Sequence, residues 1–153
     1  MDKSNQKLIV QSISETHALA AKLATKLSGG EVIGLSGELG AGKTEFVRGI
    51  LQTLNPGAHV SSPSYVIEHI YESNQTLLYQ IHHLDLYRLT SGSDYEELGS
   101  YLHDRTKVTF VEWPERLNHY QKYFDLIIEF ELSDDKRLLS FKPLSPAGEK
   151  LCF

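Results

Sequence analysis

The chain is poor in the features that mark secreted, membrane-bound or nucleic-acid-coating proteins. A single cysteine, Cys152, excludes an internal disulfide framework and a cysteine-rich zinc site, and fits a reducing cytoplasm. No stretch approaches the about 18 consecutive apolar residues of a membrane-spanning helix. The opening Met1-Asp2-Lys3-Ser4-Asn5-Gln6 has no apolar segment behind it, so neither an anchor nor a secretory signal is expected. Basic residues are also few: 15 Lys and Arg against 20 Asp and Glu leave a net charge of −5. A broad electrostatic grip on nucleic acid is thereby excluded; no contact with DNA is expected, and contact with RNA would be local or made through a partner. The 7 histidines show no His-x-x-x-His or His-Cys spacing, which argues against zinc. There is no Asn-Lys-x-Asp segment to discriminate guanine, and no cluster of arginines in one loop of the kind that closes over small-molecule kinase substrates. Internal repeats and low-complexity segments are lacking too.

What is present is an ordinary globular composition, 41% hydrophobic and 23% charged over 153 residues, enough for one domain with a substantial core. The most informative stretch is Gly37-Glu38-Leu39-Gly40-Ala41-Gly42-Lys43-Thr44, which fits Gly-x-x-x-x-Gly-Lys-[Ser/Thr] and follows the apolar run Val32-Ile33-Gly34-Leu35. A strand, a glycine-rich turn and a helix starting near Lys43 form a cradle for nucleotide phosphates. Inward-pointing backbone N–H groups supply most of the positive potential, and the helix N-terminus adds to it. Gly37, Gly40 and Gly42 permit a close backbone approach. Lys43 reaches the β- and γ-phosphates as a point charge, and the Thr44 hydroxyl is placed to ligate Mg2+.

Elsewhere, Lys7 to Ile13 reads as a first strand, and Ser12 with Glu15 as a capping box for a helix that carries Leu19, Leu23 and Leu27 on one face and ends at Gly29-Gly30. Glu31 to Ser36 is a strand buried on both faces. The helix after Lys43 presents Phe46, Val47, Ile50, Leu51 and Leu54 at helical spacing and stops at Asn55-Pro56-Gly57. Tyr65 to Tyr71 alternates like a strand and turns at Glu72-Ser73-Asn74-Gln75 into a partner from Thr76 to about His83. A helix is expected from Asp94 to Leu102 and a strand from Lys107 to Glu112, stopped by Trp113-Pro114. Leu126 to Leu132 and Arg137 to Phe141 flank a four-residue turn, Ser133-Asp134-Asp135-Lys136, and the tail from Pro143 reads as loosely ordered. The expected class is α/β: a P-loop NTPase-like three-layer fold, its mixed sheet parallel around the phosphate loop with antiparallel hairpin additions.

Hydrolysis needs more than a phosphate loop, because Mg2+ must be secured and a nucleophile oriented. Asp85 and Glu112 each close an apolar strand and are placed to serve; taken alone, either would be read as a solvated strand end. Trp113 beside Glu112 fits either a core aromatic or a wall of the nucleotide site. Ser62 and Ser64 lie on a polar turn that suits sensing of the γ-phosphate.

Several segments together resemble the bacterial TsaE (also called YjeE) ATPases of tRNA threonylcarbamoyladenosine biosynthesis. They are Gly-Glu-Leu-Gly-Ala-Gly-Lys-Thr at 37–44, Phe46-Val47-Arg48-Gly49, Ser62-Pro63-Ser64-Tyr65, His83-Leu84-Asp85-Leu86-Tyr87-Arg88-Leu89 and Val111-Glu112-Trp113-Pro114. The resemblance implies a P-loop ATPase, weak alone and functional in a complex with TsaB and TsaD. That complex modifies the adenosine next to the anticodon, adenosine 37, of tRNAs reading codons that begin with A. It further implies Mg2+ held by Thr44 and Glu112, with Asp85 supporting the metal or the attacking water. Trp113 would lie near the nucleotide, Ile13 to Thr16 near the adenine, and Arg137 against ATP. The chain departs from the family in carrying Glu45 after Thr44, where Thr is usual, and Ser64 where Ser-Pro-Thr is usual. Glu45 favours the helix but opposes nearby phosphate. Two other readings of the loop stand beside this one: a nucleotide-dependent assembly module with incidental hydrolysis, and a small-molecule phosphotransferase.

Overall fold

The unbroken apolar run ahead of the glycine loop forms the strand on which the molecule is built. In the computed structural model, which describes residues 5–59, 68–74, 80–90, 92 and 104–153, this strand is β2 (Val32–Ser36). It lies between β5 (Lys107–Glu112) and β6 (Leu126–Ser133), parallel to both. The β4 strand (Gln80–Asp85) adds in parallel outside β5. Antiparallel strands complete both sides: β3 (Glu68–Glu72) on β4, then β7 (Lys136–Pro143) on β6 and β1 (Gln6–Val10) on β7. The seven-stranded order is β1-β7-β6-β2-β5-β4-β3. Strands buried on both faces need an apolar layer on each. One face packs on α1 (Ile13–Ala24) and α2 (Lys43–Leu54) through Leu23, Phe46, Ile50, Ile33 and Phe110. The other is covered by Leu86, Leu117 and Phe124, from the segments after β4 and β5. This mixed, three-layer arrangement is the expected one.

Boundaries differ in instructive ways. β1 stops at Val10, short of Ile13, because Ser12 caps α1: its Oγ accepts the Glu15 N–H at 3.1 Å. The Glu15 carboxylate reaches back to the Gln11 N–H at 2.7 Å rather than to that of Ser12. α1 ends at Ala24, before Gly29-Gly30, since the Thr25 hydroxyl donates to Lys22 O at 2.7 Å and Lys26 N–H turns to Leu23 O at 2.9 Å, tightening the last turn. The turn between β6 and β7 is two residues, not four: Ser133 pairs with Lys136, and Asp134 takes a left-handed φ of 53°.

The tail corrects the sequence reading outright. Pro146–Leu151 is a helix, α3, capped by Ser145, whose Oγ accepts the Gly148 N–H at 3.1 Å; Leu151 and Cys152 are buried. Within the described residues β4 is Gln80–Asp85, with Glu72 paired to Gln80, and the start expected at Thr76 lies outside them. The expected helix at 94–102 and the turn carrying Ser62 and Ser64 lie outside them, as does the start of the strand expected from Tyr65.

Candidate functional site

Parallel strands carry their ligands beyond their carboxyl ends, and here the ends of β2, β5 and β4 adjoin. Leu35 is paired with Glu112, and Glu112 with Asp85. Above them opens a cleft of about 270 Å3. α1 contributes Ile13 and Thr16, the loop Leu39, Gly40 and Gly42, and α2 Lys43, Thr44 and Glu45; Asp85, Glu112 and Arg137 close it. A larger cavity of about 330 Å3 opens at the opposite ends of the strands, around Gly29, Arg105 and Asp125. Its carboxylates are committed to the fold: Glu31 accepts from Ser28 N, Ser28 Oγ and Gly29 N at 2.8–2.9 Å, and Asp125 from Val32 N and Ser145 Oγ at 2.9 and 2.6 Å. The smaller cleft is therefore the one with chemistry to spare.

All three loop glycines take positive φ, Gly40 at 78° with open space around it, and the other two also face close neighbours. Gly37 has φ 147°, and a Cβ there would come within 2.6 Å of Phe130 O; Gly42 caps α2 at φ 109°, with the Arg137 side chain 3.3 Å from where its Cβ would be. No other residue fits both demands at so little cost. Leu39 stands at the exposed loop tip with Glu38, while Ala41 is buried behind them. Arg137 reaches across from β7, its Nε–H donating to Ala41 O at 3.0 Å, and so ties the loop to the C-terminal hairpin.

Lys43 is buried, donates to Gly37 O and lies with Nζ 3.9 Å from the centre of the Trp113 ring. Burial pushes its pKa down, against the opposing pull of Glu112, Glu115 and Asp85. Trp113 is half-buried at a left-handed φ of 60° and packs on Tyr87 at 5.1 Å. It packs against Tyr87 and the Lys43 ammonium and is not among the residues that line the cleft. The Thr44 hydroxyl donates to Glu112 Oε1 at 2.8 Å. The same oxygen accepts from Nε2 of His83, a fully buried side chain, at 3.0 Å. Burial alone would raise the Glu112 pKa, but the hydrogen bonds from His83 and Thr44 together with the Lys43 charge outweigh it and hold the carboxyl below its ordinary range. Asp85 is shifted the other way, upward, by burial, despite accepting the Tyr87 N–H at 2.9 Å.

Three residues at this site, His83, His17 and Arg48, have no site role assigned from sequence, although His83 and Arg48 stand in the quoted motifs. His83 shares the β4 face with Asp85 and meets Glu112 only through the β4–β5 register. His17 follows Ile13 by one turn of α1 and donates to Glu45 Oε2 at 2.9 Å, and Arg48 bonds the other Glu45 oxygen. The helical spacing of Ile13 and His17 was the available signal for the second contact. Among the described residues no three His, Cys, Asp or Glu side chains converge as a protein-only metal site, and no helix is long and apolar enough to cross a membrane.

A glycine loop joining a central parallel strand to a helix, with a carboxylate from the neighbouring strand against the loop threonine, defines a P-loop nucleotide-binding protein. Comparison with known proteins narrows the class. The family model described as "Threonylcarbamoyl adenosine biosynthesis protein TsaE" matches residues 10–139. The chain is 36% identical over 135 residues to the tRNA threonylcarbamoyladenosine biosynthesis protein TsaE of Aquifex aeolicus, covering 86% of this chain and 91% of that protein. It is 34% identical over 140 residues to the Bacillus subtilis protein of the same name, covering 90% and 85%. A crystal structure of Bacillus subtilis YdiB superposes with a TM-score of 0.73 at 27% identity, covering 97% of this chain and 91% of that one. The chain belongs to the TsaE family.

Proposed function

We propose that the chain is a Mg2+-dependent ATPase subunit of tRNA threonylcarbamoyladenosine modification, acting in the cytoplasm with TsaB and TsaD and touching tRNA only through them. ATP binds with its phosphates in the 37–44 loop, Lys43 on the β- and γ-phosphates, and the adenine against Ile13 and Thr16. Arg137 borders the nucleotide, with Trp113 behind the Lys43 ammonium. The observation that carries this reading is the Thr44–Glu112 hydrogen bond at the loop helix.

The donor set suits Mg2+: a hydroxyl and a carboxylate offer hard oxygen ligands, and magnesium in phosphate sites is held by one or two such groups plus substrate oxygens and water. When bound, Mg2+ neutralises charge on the phosphates. The opposite pKa shifts of the two strand-end carboxylates support a division of labour. Glu112, kept anionic and oriented by His83, is the metal-side group. Asp85, whose environment favours the proton, orients the attacking water and can take up its proton. Ser62 and Ser64 respond to the γ-phosphate and pass its presence to the partner surface.

The test is ATP turnover by Glu112→Ala with TsaB and TsaD present. A fall of at least 10²-fold is expected, the scale of losing a transition-state electrostatic contact. Unchanged turnover removes Glu112 from the mechanism.

A further inference from the structure

Glu45 is an awkward residue for a phosphate site. The first helical hydrogen bond of α2 is Phe46 N–H to Gly42 O at 3.0 Å, so the N–H groups of Lys43, Thr44 and Glu45 have no helical acceptor and remain for an anion. The Glu45 side chain lines the same cleft. It brings a negative charge where negative charge is to be bound. Yet neither carboxylate oxygen is left to the cleft alone: Oε2 accepts from His17 Nε2 at 2.9 Å, and Oε1 is bonded by Arg48 one turn further along α2. The three side chains are 24, 30 and 32% exposed for His17, Glu45 and Arg48, so solvent screens them only in part.

We propose that His17 and Arg48 clamp Glu45, offsetting its charge and fixing its direction so that a P-loop with a carboxylate in its helix accepts nucleotide phosphates. The proposal rests on the nucleotide reading above and adds two affinity-determining positions to it. The two partners act differently. Burial, and then the Arg48 charge, lowers the His17 pKa. Near neutral pH the imidazole is therefore mainly a neutral N–H donor, and the compensating charge is that of Arg48. His17 also belongs to α1, which supplies Ile13 and Thr16 to the cleft. Its bond to Glu45 thus ties the helix on one wall to the helix at the phosphates. Arg48 screens; His17 positions.

These roles are separable by calorimetric titration of MgADP into wild type, Arg48→Met, Glu45→Gln and the double variant, at about 50 and about 300 mM salt, where the screening length differs by more than twofold. Arg48→Met should weaken binding about two- to fivefold at low salt, the size of a partly screened charge contact, and less at high salt. In the Glu45→Gln background the same substitution should cost nothing, and Glu45→Gln alone should bind at least as tightly as wild type. His17→Gln, which keeps an N–H donor, should retain binding that His17→Ala loses. An equal loss from Arg48→Met in both backgrounds, or none in either, overturns the clamp and leaves the nucleotide reading standing. No MgADP binding by wild type, even with TsaB and TsaD added, overturns the nucleotide reading and the clamp with it.

Discussion

Glu112 and Asp85 are paired across adjacent strand ends, yet their surroundings pull their protons in opposite directions. The native state binds the Glu112 proton less tightly than the unfolded chain does. Its contribution to stability is therefore complete above about pH 4.5, the ordinary value, and is lost as pH falls through the lower native value. Asp85 has a raised native pKa, so its contribution is present at low pH and lost as pH rises through that value. Urea midpoints measured against pH should consequently fall more steeply below pH 4.5 for wild type than for Glu112→Gln. Asp85→Asn, which keeps an acceptor for the Tyr87 N–H, should be more stable than wild type at neutral pH. Parallel acid slopes for wild type and Glu112→Gln would contradict the arrangement of His83 and Thr44 around that carboxylate. A residue that would gain stability by losing its charge is an expected feature of a site kept for chemistry.

At the level of elements, α1 and α2 meet at Gly49, where an added Cβ would lie 2.7 Å from Ala20 Cβ and 2.9 Å from His17 Cα. Alanine at an open helical position improves on glycine by about 1 kcal/mol. Here the neighbouring helix must move instead, so Gly49→Ala should destabilise by about 1–3 kcal/mol, the cost of overpacking. Urea unfolding supplies the sign, and a stabilised variant would refute the packing. Such contacts explain which parts could be read from residues alone. β2, the loop and α2 were legible because the apolar run, the fixed glycines and Asn55-Pro56 mark both ends of each element. β5 was likewise bounded by Trp113-Pro114 and observed as Lys107–Glu112. The C-terminal helix was not, although Ser145 and Pro146 are ordinary start signals. Six residues are too few to display an apolar period, and its order comes from distant partners: Gln6 Oε1 accepts the Phe153 N–H at 2.7 Å, and Lys26 donates to Cys152 O. His83 and His17 were hidden for a related reason. One needs the register between β4 and β5, the other the pairing of two helices, and neither is encoded by local spacing.

Across the whole molecule, the cleft draws on α1, the loop, α2 and the ends of β4 and β5, with β7 joined through Arg137. A ligand that engages such a site must oppose the separation of all of them, so its binding energy should appear in global unfolding rather than in local order alone. For a ligand that binds only the native state, a concentration of 100 times Kd adds about 2.7 kcal/mol. In a chain of this size each kcal/mol moves Tm by about 2–4 °C, so MgADP or MgATP should raise Tm by about 5–10 °C. The shift should shrink when EDTA removes the metal, because Thr44 and Glu112 then no longer have an ion to share with the phosphates. It should vanish in Lys43→Ala, which loses the buried cation aimed at them. Differential scanning calorimetry in the presence and absence of nucleotide makes the measurement. A Tm indifferent to saturating nucleotide, or one raised equally in Lys43→Ala, would mean that the 37–44 loop does not hold the phosphates.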